Sequence, residues 1–425
     1  MLIKNYEELA KTPQRKIVLD LVEAALVAIQ PEKIISQKIS LSKNKLKIDT
    51  QEVNLADFEK VIILGFGKGS AKNAKIIENI LKDKITEGYV IDTNQENFQK
   101  IEFSQGTHPL PSQANIDFTQ KVIKKLSNLT PKDLVLVITC GGGSVMLGSP
   151  HNLSLEQMVD VNKTLLHSGA TIQDMNIIRK HIDIVKGGGL AKILFPAKAI
   201  NLVFSDVPGN DLSTIASGPM VMDPTTKEDV QNVIKKYNLS QILSFEGKDF
   251  VESPKDEKYF QNVENVLILK NGTALSAMLQ KAEELGVSAQ IYSDHFQDNA
   301  NGAGNKLSQN AKNGTILIAG GETDVKVGGS GVGGRNQQAV LAALLTLAAN
   351  TTICFFDSDG WDNSKAAGAI GDFKTLQSAK AKGLDINKYL QNNDAYTFFE
   401  KVGDAILTER LPSNVSDLMI VYKHG

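Results

Sequence analysis

Lys68 sits inside a glycine turn, in the stretch VIILGFGKGSAKNA over 61–74, and a cation at that point narrows the chemistry to consider. A Walker loop would need glycine at 62 and serine or threonine at 69, where the chain has Ile62 and Gly69. A dinucleotide turn, G-x-G-x-x-G, fits better: Gly65 and Gly67 are in place, Ser70 stands at the third glycine, and Asp92 ends the next apolar run. A dinucleotide pyrophosphate normally meets bare backbone, whereas phosphoryl transfer gains from a cation that follows charge onto the moving group. Lys68 therefore points to a phosphate. The dinucleotide turn stays as the alternative, and a solvated turn lysine is the plainer one.

Other groups able to do chemistry gather at further glycine turns. CGGGS supplies Gly141, Gly142, Gly143 and Ser144, and KGGG over 186–189 begins with Lys186. GGE ends in Glu322, and GGSGVGGRNQ carries Arg335 after paired glycines. Glycines at strand ends let backbone N–H groups approach an anion, although each one alone is explained by a tight turn. Asn176 and Arg179 lie in NIIRKHIDIVKGGGL, and arginine offers the fork that carboxylates and phosphates take. Asp206 follows an apolar run and is placed to act as a general base or a hard ligand for Mg2+. Asp211 and Asp223 lie in turn-forming sequence, so a capping role competes with a functional one. Asp357, Asp359 and Asp362 form either a magnesium shell or an acidic turn, and His108 in GTHPLPS either a substrate contact or a turn residue. The histidines are scattered, which argues against zinc, and no G-x-S-x-G elbow supports hydrolysis.

The elements that hold these turns read as alternating strands and helices. Continuous apolar runs at 61–66, 88–91, 133–140 and 199–205 predict buried strands, and helical spacing fills the intervals between them. That is an α/β pattern of the doubly wound kind. A charged stretch over 246–261, containing Pro254, reads as a linker. The alternation restarts with NVLILK at 265–270 and continues through strands at 288–293, 314–320 and 351–357. Two domains are expected, an N-terminal Rossmann-like sandwich over 1–245 and a C-terminal α/β domain over 262–425. The cleft between such domains is the usual place for a small polar ligand.

Composition excludes several classes of function. With 46 basic and 48 acidic residues, the chain has no bias toward a polyanion, so nucleic acid is not expected as a partner. No 18-residue apolar run suggests a membrane span. Cys140 and Cys354 lie in apolar runs and suit buried, reduced thiols of a cytoplasmic protein that is a monomer or homodimer.

Taken in order, the GxGK turn, GTHPLP, CGGGS, N-x-x-R-K-H…KGGG, SDV…IASGP…DPTT, GGET, GGRNQ and DSDG…AAGA resemble the class II glycerate kinases, whose C-terminal part is called the MOFRL domain. The resemblance spans nearly the whole chain. It implies ATP-dependent phosphorylation of D-glycerate at its 2-hydroxyl with Mg2+ in an interdomain cleft, and it puts Lys68, Asp206 and Arg335 in the catalytic centre. Departures from the family pattern are Gly189, Asn210, Gln338, and Ser364 with Lys365 in place of a Thr-Asp pair. Carboxylates missing at 210, 338 and 365 would weaken a nucleotide or magnesium shell if they ligate there. Two rival functions are an NAD(P)H-dependent hydroxypyruvate reductase, which would use Asp92 at a ribose, and a binding protein descended from a kinase.

Overall fold

Strand Lys60–Phe66 starts near the middle of a six-stranded sheet, and the order of its neighbours shows how the chain winds. The computed structural model describes residues 1–239 and 247–425. Across this sheet the order is Ile101–Gln105, Glu87–Asp92, Lys60–Phe66, Asp133–Thr139, Lys198–Phe204, Val263–Leu269. The pairings among the first five are parallel, with Leu64 opposite Tyr89 on one side and Val137 on the other. The chain thus runs from Lys60–Phe66 to one edge and then returns to build the other side. The reversal point lies between Lys60–Phe66 and Asp133–Thr139, and in such sheets ligands bind beyond the carboxyl ends of the strands at that point. Every residue of Asp133–Thr139 is buried, which explains its continuous apolar reading.

A second six-stranded sheet has the order Ser288–Phe296, Thr315–Gly321, Asp417–Lys423, Thr351–Asp357, Ala366–Gly371, Ala405–Leu407. Only its first pair is parallel. The C-terminal strand Asp417–Lys423 is inserted antiparallel between two strands that run the other way. Its first residue, Asp417, is therefore in register with both Gly321 and Asp357, the last residues of its neighbours. A small antiparallel sheet of Ile39–Ser42, Lys45–Ile48 and Gln51–Asn54 was not legible as strands beforehand.

By contact the described chain falls into two compact units. One comprises Ile34–Ser205 and Asn210–Ile268, and is called the first unit here; the second comprises Met1–Lys33, Asp206–Gly209 and Leu269–Gly425. This division differs from contiguous domains over 1–245 and 262–425. Strand Val263–Leu269, expected to open the second sheet, instead lies at the edge of the first. Helix Pro13–Ala28 packs along helix Asn271–Glu284 in the second unit. An apolar run or stripe announces burial but not the partner that buries it. Part of the expected linker (residue 246) and of the expected first domain (240–245) lies outside the described residues. No described helix is long and apolar enough to cross a membrane.

Candidate active site

Three sequence motifs of the first unit converge at the reversal point of its sheet. Gly67 has φ +102, and a Cβ on it would lie 2.5 Å from the carbonyl oxygen of Cys140, so the two turns touch backbone to backbone. The Lys68 N–H donates to the Gly141 carbonyl at 2.8 Å, and the Cys140 N–H to the Phe66 carbonyl at 3.1 Å. His108 lies against Gly142, where a Cβ would come within 2.8 Å of its ring. Burial, and then the Lys68 charge, lower the basicity of this imidazole. Gly143 is held between Phe66 and Ala216. Lys68 itself is exposed, with its backbone anchored through the bond to Gly141.

Behind this turn, the Ser144 and Ser217 hydroxyls share a hydrogen bond of 2.8 Å, and Ser217 donates to Asn176 Oδ1 at 3.4 Å. Ala216 and Ser217 carry positive φ, +51 and +61, so the IASGP segment holds a strained conformation beside these groups. Arg179 donates its Nε–H to Asn162 Oδ1 at 3.2 Å. Two residues expected to bind substrate or nucleotide, Lys186 and Asp211, are engaged within the fold. Lys186 is buried and ion-paired with buried Asp183, so its charge is already neutralised within the fold. Asp211 accepts from the Ser213 N–H and from the Ser213 and Thr214 hydroxyls, which makes it the organiser of its own turn. Asp223 is likewise structural, pairing with Lys180 at 3.2 Å.

Asp92 decides against the dinucleotide turn. Its buried carboxylate accepts from the N–H of Ala71 at 3.0 Å, at the start of helix Ser70–Leu81, and from that of the adjacent Thr93 at 2.6 Å. Ser70, at the third-glycine position, donates its hydroxyl to the Ile91 carbonyl. The helix terminus that would receive a pyrophosphate is thus satisfied by an internal carboxylate. Asp92→Ala is expected to lower unfolding free energy by about 2 kcal/mol, since buried N–H donors lose their acceptor. Urea denaturation measures that loss, and NADH fluorescence is expected to stay unchanged on titration with the wild-type protein.

In the second unit, four strand-end or helix-start groups form an ionic cluster. Arg335 donates Nε to Asp417 at 2.7 Å and pairs through Nη1 with Glu322 at 2.8 Å, while Nη2 lies 3.6 Å from Asp357. Burial works against the guanidinium's charge, but Asp417 and Glu322 outweigh it and raise the group further. Burial pushes the Glu322 carboxyl up; Arg335 opposes this, and Asp417 and Asp206 add to the rise. Asp206 therefore stands within electrostatic reach of this cluster. Asp357 is pushed well above the usual range by burial and by the charges of Asp359 and Asp417. Arg335, expected to meet an anionic ligand, is met by carboxylates of the fold. Asp359 accepts from the Trp361 N–H, and its own N–H donates to Asp357.

Asp362 does not join a magnesium shell: it accepts from the N–H groups of Asn336 and Gln337, capping helix Arg335–Ala343, and burial raises its carboxyl to about 6. Among the described residues no three His, Cys, Asp or Glu side chains converge as a ready metal cage. The departures at 338 and 364 are structural as well. Gln338 donates to Asn301 and to the Leu390 carbonyl, and Ser364 accepts from Gln337 and the Ala366 N–H. Lys365 is exposed.

With the geometry established, comparison with known proteins gives one consistent relationship. The family model for the domain of unknown function DUF4147 matches residues 17–252, and that of the MOFRL family matches residues 315–417. A D-glycerate 2-kinase of Thermotoga maritima is 33% identical over 423 residues, covering 96% of this chain and 97% of that protein. The chain belongs to the glycerate kinase family. A crystal structure of a Thermotoga maritima glycerate kinase superposes with a TM-score of 0.85 at 32% identity, covering 96% of this chain and 99% of the other. A relative from Agrobacterium vitis, 32% identical over 385 residues and covering 85% of this chain and 87% of its own, carries a provisional hydroxypyruvate reductase name. Within this glycerate kinase family chain, sequence reasoning missed Asp417. Its only signal is a polar start to the run DLMIVY, and strand register alone places it on Arg335.

Proposed function

We propose that this protein is a glycerate 2-kinase, transferring the γ-phosphoryl of ATP to the 2-hydroxyl of D-glycerate. The observation that carries the reading is Lys68: an exposed ammonium on a backbone-anchored turn at the reversal point of a doubly wound sheet, beside His108 and the CGGGS loop. The names of the similar proteins give the substrate class.

In this reading, a bond forms between the acceptor oxygen and the γ-phosphorus as the bond to the β-phosphate oxygen breaks, and ADP leaves. Asp206 accepts the proton of the acceptor hydroxyl. Lys68 stabilises charge on the transferring group. Magnesium, when bound, neutralises nucleotide phosphates; such a site needs only one or two protein carboxylates, and Asp357 with Asp359 are suited to supply them. Asp357 is crowded by Asp359 and Asp417, which Arg335 at 3.6 Å only partly offsets, and a divalent cation would relieve that crowding. Arg335 holds Glu322, Asp357 and Asp417 in place.

The test is ADP release from Mg-ATP and D-glycerate, coupled in parallel to enolase with no mutase present. The expected result is ADP with an enolase signal, which reports 2-phosphoglycerate. ADP without that signal overturns the regiochemistry, and no ADP from folded protein overturns the kinase. The hydroxypyruvate reductase name of one relative is the weaker alternative, and the geometry does not support it, since Asp92 is engaged within the fold.

A further inference from the structure

Asp417 opens the C-terminal strand Asp417–Lys423 and is fully buried, in register with both Gly321 and Asp357. Three donors from two segments of the second unit converge on its carboxylate. Oδ1 accepts from Asn336 Nδ2 at 2.8 Å; Oδ2 accepts from the Thr323 N–H at 3.2 Å and from Arg335 Nε at 2.7 Å. Of the three carboxylates around Arg335, the Glu322 side chain is 46% exposed, Asp357 11% and Asp417 0%, so Asp417 is the partner that water screens least.

A guanidinium is a planar fork, so fixing Nε fixes where both Nη groups aim. Held by Asp417 through Nε, Arg335 sets Nη1 on Glu322 at 2.8 Å and leaves Nη2 3.6 Å from Asp357 Oδ2, beyond hydrogen-bond range. Asp357 Oδ1 accepts from the Asp359 N–H at 3.0 Å. The fork thus serves two carboxylates closely and the third at a distance. An arginine seated on Asp357 would compete with a cation for the same oxygen, and the grip of Asp417 prevents that seating.

We propose that Asp417 is a positioning residue: by holding Arg335 through Nε, it keeps the guanidinium off Asp357 and leaves that carboxylate to a divalent cation. The inference rests on the reading of Asp357 and Asp359 as the carboxylates that hold magnesium. It gives the buried acid at the head of the apolar run DLMIVY a role exerted through Arg335 rather than by contact with substrate.

Mn2+ titrated into the protein with ADP present, its free ion read by electron paramagnetic resonance against an ADP-only control, tests the proposal without turnover. In Asp417→Asn the new amide sets an N–H against the Arg335 Nε–H, and the guanidinium turns to Asp357. Mn2+ affinity is expected to fall about 10- to 100-fold, the usual scale for losing an outer partner of a metal site. Because this variant disturbs a buried pair, the same substitution is also made in Arg335→Gln, where no guanidinium remains to turn. There it is expected to leave Mn2+ affinity within about twofold. Where the single variant does not fold, that comparison alone decides. Unchanged affinity in folded Asp417→Asn overturns the proposal, as does a further loss when Asp417→Asn is added to Arg335→Gln, since Asp417 would then act without Arg335. Absence of Mn2+ binding by the wild type with ADP present also overturns it. ADP release from Mg-ATP and D-glycerate is measured separately, so the two readings fail independently. ADP release with Mn2+ affinity indifferent to Asp417 sinks the positioning role and leaves the kinase; Mn2+ affinity lost in Asp417→Asn, in a protein whose wild type shows no turnover, sinks the kinase and leaves the positioning role.

Discussion

Lys68→Ala is expected to lower kcat about 10²- to 10³-fold while leaving the melting temperature where it is. The two halves of that expectation have separate physical grounds. Gly67 and Gly141 hold the turn through backbone contacts, and the Lys68 N–H that bonds the Gly141 carbonyl survives the substitution. Lys68 is exposed and no ion pair among the described residues uses its ammonium, so its removal takes away what it does for a ligand. If the charge acts on the transferring group, kcat and kcat/KM fall together and KM changes little. Steady-state ADP release under saturating Mg-ATP measures both. A rise in KM alone would demote Lys68 to ground-state binding. Asp206→Asn is the companion variant, expected to cost about 10²- to 10⁴-fold as a lost general base.

Arg15→Leu has the largest expected effect on stability, a loss of about 3–5 kcal/mol in unfolding free energy. Arg15 is fully buried on helix Pro13–Ala28 of the second unit. Its guanidinium donates to both oxygens of Asp372 at 2.7 Å each, to Asp404 at 2.6 and 3.0 Å, and to the Thr375 hydroxyl at 2.8 Å. Leucine fills much of the volume but strands two buried carboxylates. Chemical denaturation of both proteins measures the difference, and a change under 1 kcal/mol would show that the carboxylates find other partners. The pH dependence has a definite sign. Burial alone would raise the Asp404 carboxyl, but the Arg15 and Lys11 hydrogen bonds outweigh it and hold it below the usual range. A depressed folded value stabilises above the unfolded value, near 4, and the benefit fades as pH falls through the folded one. The advantage of the wild type over Arg15→Leu should therefore shrink below about pH 4.

Much of this protein is determined locally and is legible without coordinates. Strand Lys60–Phe66 and its turn are announced by an unbroken apolar run meeting Gly65 and Gly67, because a strand buried on both faces has no polar alternation and a touching turn admits no Cβ. The motif order brings Lys68, His108 and Gly142 into view for the same reason. Whether a polar side chain is available to a ligand is a different question, and only the tertiary structure answers it. Lys186 and Arg179 both read as anion contacts, yet Asp183 neutralises the first, and among the described residues no carboxylate pairs with the second. Asp92 and Asp362 each occupy a helix N-terminus that the glycine turns left looking open, and Arg335 acquires three carboxylates from three separate segments. The strand register that puts Asp417 beside Gly321 and Asp357, the placement of Val263–Leu269 at the edge of the first sheet, and the packing of the N-terminal helix in the second unit are long-range choices of the same kind. Propensity and periodicity depend on neighbours a few residues away, so they specify elements and turns; charge pairing and strand order depend on groups tens to hundreds of residues distant, and those are settled only when the chain closes on itself.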